Sequence, residues 1–137
     1  MTYLVERLAQ LRKHLDHLRD LRPRVSSPRD LESDLSLHND VLFSLLTVAQ
    51  LVIDIAGELS ARRGLPFEDY TTAVMNLSRL EGFSEEMVEE LVPLPGFRNV
   101  LIREYVGLDY EYVVRALNRL EPIEEFIRIV GARLEDE

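Results

Sequence analysis

The stretch VLFSLLTVAQLVIDIAGELSA, Val41 to Ala61, decides how this chain is built. Its length alone would let it span a bilayer, which takes about 20 apolar residues. Gln50, Asp54 and Glu58 argue otherwise, because they recur every four residues and so share one stripe of a helix. Such a stripe on an apolar helix marks a core helix with one polar face, not a membrane span. The apolar residues form two further stripes, Val41, Leu45, Val48, Val52 and Ile55 beside Leu42, Leu46, Ala49, Ile53 and Ala56. This is more apolar surface than one bundle core needs, so a homodimer is expected.

Outward from that helix the helical spacing continues almost throughout, and few residues alternate as in strands. The core helix starts near Ser33 or Ser36 and runs to ARRG, where Gly64 suits a left-handed cap and Arg62 and Arg63 suit the negative end of the helix dipole. Before it, Leu4, Leu8, Leu11, Leu15 and Leu18 carry a first helix that stops before Pro23, leaving RPRVSSPRD as a connection. After it, Tyr70, Val74, Leu77 and Leu80 carry a third helix ending at Gly82, and Ser84 opens a short fourth that VPLPGF breaks. A helix from about Gly96 to Tyr105 follows, then a turn in which Asp109 caps a last helix running to about Leu134 and kinked or divided at Pro122. The expectation is an all-α fold: one domain, residues 1–137, forming an up-and-down bundle of four main helices with short extras.

Composition removes several function classes. There is no cysteine, hence no disulfide framework or thiolate site, and MTYLVERLAQ lacks the order of a signal peptide, so a cytoplasmic location is expected. A net charge of -9 disfavours a protein that coats nucleic acid through a broad basic surface, and a local basic pocket is the remaining option. Of the 16 basic residues all but Lys13 are arginine, a bias that fits a GC-rich genome and carries little functional weight. No glycine loop for nucleotides, Ser/His/Asp set or DNA-reading helix is present. His14 and His17 in HLDH lie about one turn apart, yet no Glu-x-x-His pair follows, so no metal and no cofactor is expected and a solvated helix face is the better reading. His38 lies near the start of the core helix, where a role at the helix N-terminus competes with one as an acid-base group. The runs SEEMVEELV and RLEDE read as solvated faces, and the former could also orient a partner.

The stretch GFRNVLIREY, Gly96 to Tyr105, puts two arginines and a tyrosine into a short apolar helical segment of this acidic chain. On an ideal helix Tyr105 falls about 20° from Arg98, two turns on, whereas Arg103 projects about 140° away. Two readings compete. In one, Arg98 pairs with a carboxylate such as Asp109 or Glu58 and Tyr105 is a hydrogen-bonded core residue. In the other, the fixed fork of donors on Arg98, helped by Asn99, binds a phosphate group.

The run LPGFRNVLIREYVGLDYEYV resembles the signature helix of HepT-like toxins of the HEPN superfamily, R-x4-H-x-Y with an acidic residue a turn later. AQLVIDIAGEL and LPFEDYTTAVMNLSRLEGFSEEMVEELVPLPGF are similar to further blocks of that family in the same order, so the resemblance covers roughly residues 38–130. It implies an all-helical homodimer in which two motif copies face a shared cleft. It also implies a metal-independent RNase acting as a toxin, paired with a minimal nucleotidyltransferase antitoxin that transfers AMP to the motif tyrosine. Carried over, Arg98 matches the family arginine, Asn99 the polar residue beside it and Tyr105 the modified tyrosine.

The departure is Arg103, which stands where the family has its histidine. A guanidinium stays protonated and cannot exchange protons with a ribose hydroxyl. Losing an acid-base histidine costs on the order of 10² to 10⁴ in rate. Three accounts stay open: an inactive paralogue that keeps fold and partner, a sequence altered to survive expression of a toxic protein, or an arginine that stabilises charge while another group moves protons. The rival reading from another class is a non-catalytic adaptor that binds a nucleotidyltransferase.

Overall fold

The computed structural model describes residues 2–136; Met1 and Glu137, the two ends of the expected 1–137 unit and the last residue of RLEDE, lie outside them. Among the described residues every regular element is helical: α1 (Thr2–Leu21), α2 (Pro28–Glu32), α3 (Leu35–Arg62), α4 (Tyr70–Met75), α5 (Glu85–Leu91), α6 (Leu94–Arg103), α7 (Tyr110–Leu117) and α8 (Glu121–Glu135), with 3₁₀ turns at Arg22–Arg24 and Asn76–Arg79. The all-α expectation holds.

The order follows from the chemistry of the ends. Asp34 caps α3 by accepting from the Leu37 amide, and Gly64 leaves it at a φ of 68°, where an L side chain would be strained. Asp69, Ser84 and Asp109 cap α4, α5 and α7 in the same way. Pro122 divides the last helical stretch into α7 and α8 and sits in the first turn of α8, where a missing amide proton costs nothing. The expected third helix is shorter than its periodicity suggests, because α4 gives way to a 3₁₀ turn after Met75. There the buried Asn76 side chain donates to the Pro66 carbonyl at 3.2 Å and to Ser60 Oγ at 3.3 Å, so side chain and backbone compete with continued α-helix.

α3 is the spine. It makes its most extensive pairing with α1, and α6, α4, α2 and α7 also pack on it, while α8 closes against α1 and α5. Leu4, Leu8, Leu11, Leu15, Leu18 and Leu21 recur every three or four residues and put one leucine face of α1 into the core. On α3 the first stripe is fully buried, and of the second Ala49, Ile53 and Ala56 are buried while Leu42 and Leu46 are half-buried. The apolar length that could have crossed a membrane is therefore largely spent on the core, and most of the second stripe is used within one chain.

His14 of α1 turns into this interface. Its Nδ1 lies 3.1 Å from the Oγ of the buried Ser44, and burial, followed by the charges of Lys13 and His17, holds its pKa below the ordinary value of 6.5. The unfolded chain binds that proton more readily, so the stability contributed by neutral His14 is fully present above about pH 6.5 and is lost progressively as the pH falls from there through the lowered folded-state value. Acidification should lower the melting temperature of the wild type more steeply than that of His14→Gln, measured side by side. Equal slopes would show that another group carries the dependence.

Candidate functional site

The helix that carries the arginine motif begins earlier and ends sooner than the sequence suggests. Val92 and Pro93 interrupt α5, after which α6 starts at Leu94, with Pro95 tolerated in its first turn. It stops at Arg103, and Glu104 leaves the helical conformation with φ -113° and ψ 26°. Phe97 and Leu101 fix the helix by their burial, and Phe97 meets Tyr112 of α7 edge-on with ring centroids 5.2 Å apart.

Arg98 lies half-buried between α6 and α3. Its Nε donates to Gln50 Oε1, its Nη1 donates to Asn99 Oδ1 at 2.9 Å, and its guanidinium carbon lies 5.3 Å from the centre of the Tyr70 ring. Gln50 is itself oriented, since its Nε2 donates to Asp54 Oδ1 at 2.8 Å. The polar stripe on the core helix thus has a purpose: two of its three members hold the Arg98 guanidinium in one orientation. The third, Glu58, pairs with Arg62 at 2.9 Å, and Asp109 accepts from the Glu111 amide at 3.0 Å. Both expected carboxylate partners of Arg98 are engaged elsewhere, and among the described residues Arg98 forms no ion pair. A guanidinium has five N–H donors, so two are used here and three are left for a ligand.

The remaining motif residues separate. Asn99 stays with Arg98, and Arg103 lies five residues on, about 7.5 Å along the helix, exposed in its last turn. Tyr105 is not on the helix, so the face it was expected to share with Arg98 does not exist. It lies in the bend that follows, before Gly107 and the Asp109 cap turn the chain into α7, and it is 67 % exposed rather than a core residue. His38 rests edge-on against Tyr110 with centroids 5.4 Å apart, and its Nδ1 is 3.0 Å from Asn39 Oδ1. Along α3 it precedes Gln50 by twelve residues, about 18 Å, so it is not brought to Arg98. His14 and His17 face Ser44 and Asp40 respectively.

Two residues of the site escape reading from the motif alone, Gln50 and Tyr70. Gln50 leaves a signal in the polar stripe, whereas Tyr70 has the spacing of an ordinary apolar position on a helix. A separate apolar cavity of about 160 Å³, whose walls include Val48, Phe97, Tyr112, Arg115 and Ile123, contains none of the motif residues Arg98, Asn99, Arg103 or Tyr105. What the site offers is a fixed cation beside an aromatic ring, with a further cation and an exposed phenol at the end of the same helix. This suits binding of an anionic, phosphate-bearing ligand.

Comparison with known proteins bears on the fold and the family. The chain is similar over 85 residues, at 33 % identity, to a protein of Archaeoglobus fulgidus named "Putative RNase", a match that spans 62 % of this chain and 64 % of that protein, under two thirds of its length. Among solved structures it superposes on a toxin–antitoxin chain crystallised with AMP-PNP, with a TM-score of 0.84 at 19 % identity, covering 96 % of this chain and 99 % of the other. It also superposes on a tri-AMPylated Shewanella oneidensis HEPN toxin in complex with its MNT antitoxin, with a TM-score of 0.79 at 19 % identity over 94 % and 96 % of the two chains. A third likeness, with a TM-score of 0.81 at 19 % identity over 94 % and 98 %, is to an MntA-HpeT toxin–antitoxin complex carrying a tyrosine-to-alanine substitution. At such identities these structures establish the HEPN toxin fold. The family described as Ribonuclease HepT-like matches residues 11–130, and the chain belongs to it.

Proposed function

We propose that this chain is the toxin-side component of a toxin–antitoxin pair, acting in the cytoplasm on RNA and restrained by a minimal nucleotidyltransferase. The observation that carries the reading is Arg98, held by Gln50 and Asn99 with no ion pair among the described residues, on a helix that ends two residues before an exposed tyrosine. Arg98 binds a phosphate group of the substrate, Asn99 supports it and Arg103 stabilises charge. Tyr105 accepts AMP from the partner: its phenolic oxygen attacks the α-phosphorus of ATP, its proton is lost and pyrophosphate leaves. The likeness to toxin chains solved with antitoxins, over nearly their whole length, supports this assignment.

The same reading takes the working unit to be a homodimer, in which two arginines from each copy put four cations into one cleft. Phe43 on α3 and Ile102 on α6, 63 % and 42 % exposed, are apolar residues that a second copy would cover. No metal or cofactor enters this scheme. Arg103 favours one alternative, a non-catalytic adaptor for the transferase, which keeps the partner and loses the reaction.

Incubation with ATP and the cognate transferase should add the mass of AMP to the wild-type chain, and a peptide map should place an adduct on the peptide that carries Tyr105. Tyr105→Phe should leave that position unmodified. Intact mass spectrometry without any adduct, beside a transferase shown to be active, would remove Tyr105 as the acceptor.

A further inference from the structure

Tyr70 begins α4, next to Arg98, and is 44 % exposed. With the Arg98 guanidinium carbon 5.3 Å from its centroid, the ring is held in place by a cation yet keeps nearly half its surface open. Phe67, three residues earlier, is 38 % exposed and lies over Gly57 of α3, where a Cβ would come 3.4 Å from its Cζ. Gly57 follows Gln50 by seven residues, which on an α-helix is nearly the same face and about 10 Å further along. Arg98, Tyr70 and Phe67 therefore form a row beside the polar face of α3, a cation followed by two exposed rings.

The charges around that row decide what it can hold. Asp54 accepts from Gln50, Glu58 pairs with Arg62, and Asp69 caps α4 with its carboxyl held below the usual carboxylate range by hydrogen bonds from Thr72. Asp54 and Asp69 set carboxylates beside the row and Glu58 is matched by Arg62, so beyond Arg98 the row offers ring faces in place of cationic partners for phosphate. Single-stranded nucleic acid has the matching chemistry, because its bases present neutral faces that stack on aromatic side chains while its phosphates seek guanidinium groups.

We propose that Tyr70 is a stacking platform for a nucleobase of single-stranded RNA whose phosphate is bound by Arg98, with Phe67 extending the platform to a neighbouring base. This rests on the reading of RNA as the substrate and specifies how the strand is held. Tyr70 acts in binding and takes no part in bond breaking.

The test is fluorescence anisotropy with the full chain, titrated against a short labelled single-stranded RNA and against an abasic sugar-phosphate oligomer of equal length. Tyr70→Ala should weaken RNA binding by about 5- to 100-fold and leave abasic binding unchanged. Tyr70→Phe, which keeps the ring, should bind RNA like the wild type. Arg98→Ala should weaken both oligomers. Equal weakening of both by Tyr70→Ala would mean that the ring only positions Arg98, and an unchanged RNA affinity would mean that no base rests on it; either overturns the platform alone. If the wild type binds RNA no better than Arg98→Ala does, the RNA reading falls and the platform with it.

Discussion

Replacing Arg103 by histidine is expected to raise RNA cleavage by about 10²- to 10⁴-fold over the wild type, the usual contribution of one positioned acid-base group. The wild-type side chain is exposed in the last turn of α6, where its charge is favourable to the helix dipole and its proton cannot be given up. An imidazole at the same place titrates near neutral pH and can take a proton from a ribose 2′-hydroxyl or return one to a leaving oxygen. The substitution removes no buried contact, so the fold should be unaffected. The measurement is cleavage of single-stranded RNA by purified wild type, Arg103→His and the double variant with Arg98→Ala. Cleavage by the histidine variant alone identifies a toxin whose cleft is intact and whose acid-base group is missing. Three inactive proteins would exclude the RNase reading of this cleft and leave the adaptor, a result that absence of growth arrest on expression of Arg103→His would reinforce.

The largest loss of stability is expected from Phe126→Ala, at about 3 to 5 kcal/mol. Phe126 is the largest of the fully buried side chains, and its ring lies 6.0 Å from that of Phe83 at 42°. It ties α8 to the turn after the short α4 segment, a region of small elements that cannot close over a void by sliding as a long helix might. Removing the ring loses transfer free energy and leaves a cavity lined by residues that cannot all collapse into it. Chemical denaturation should show the midpoint shifted with the slope preserved. A loss below about 1 kcal/mol would mean that this part of the core rearranges freely, contrary to the packing described.

The helices are legible in the sequence where one physical signal dominates. The leucine spacing of α1, the caps at Ser84 and Asp109, Gly64 after α3 and the break at Pro122 all act locally, and each appears where the residues place it, whereas the cap of α3 falls on Asp34, between the expected Ser33 and Ser36. The ends of α4 and α6 are not legible, for different reasons. α4 yields to side-chain hydrogen bonds that Asn76 makes with residues ten and sixteen positions away, which no local window contains. α6 stops before Tyr105 because the chain must turn back toward α7, so a helical wheel drawn through Tyr105 describes a helix that is not there. Of the site, Arg98 and Asn99 are visible in the motif, whereas periodicity marks Gln50 only as a polar position of a core helix and Tyr70 only as an apolar one. Their relation to Arg98 is tertiary.

The different anchoring of Arg98 and Tyr105 separates two requirements that a single rigid site would set against each other. Arg98 is referenced to α3, the most deeply embedded rod of the molecule, so its position is inherited from the whole core. Tyr105 belongs to the six-residue tether 104–109 between α6 and α7, whose contour could reach about 20 Å if drawn out. If Tyr105 is the AMP acceptor proposed above, its phenol would reach a visiting catalytic centre on this tether while the guanidinium stayed registered to the packed helix. In the proposed modification, docking of the transferase there would perturb reach and not alignment.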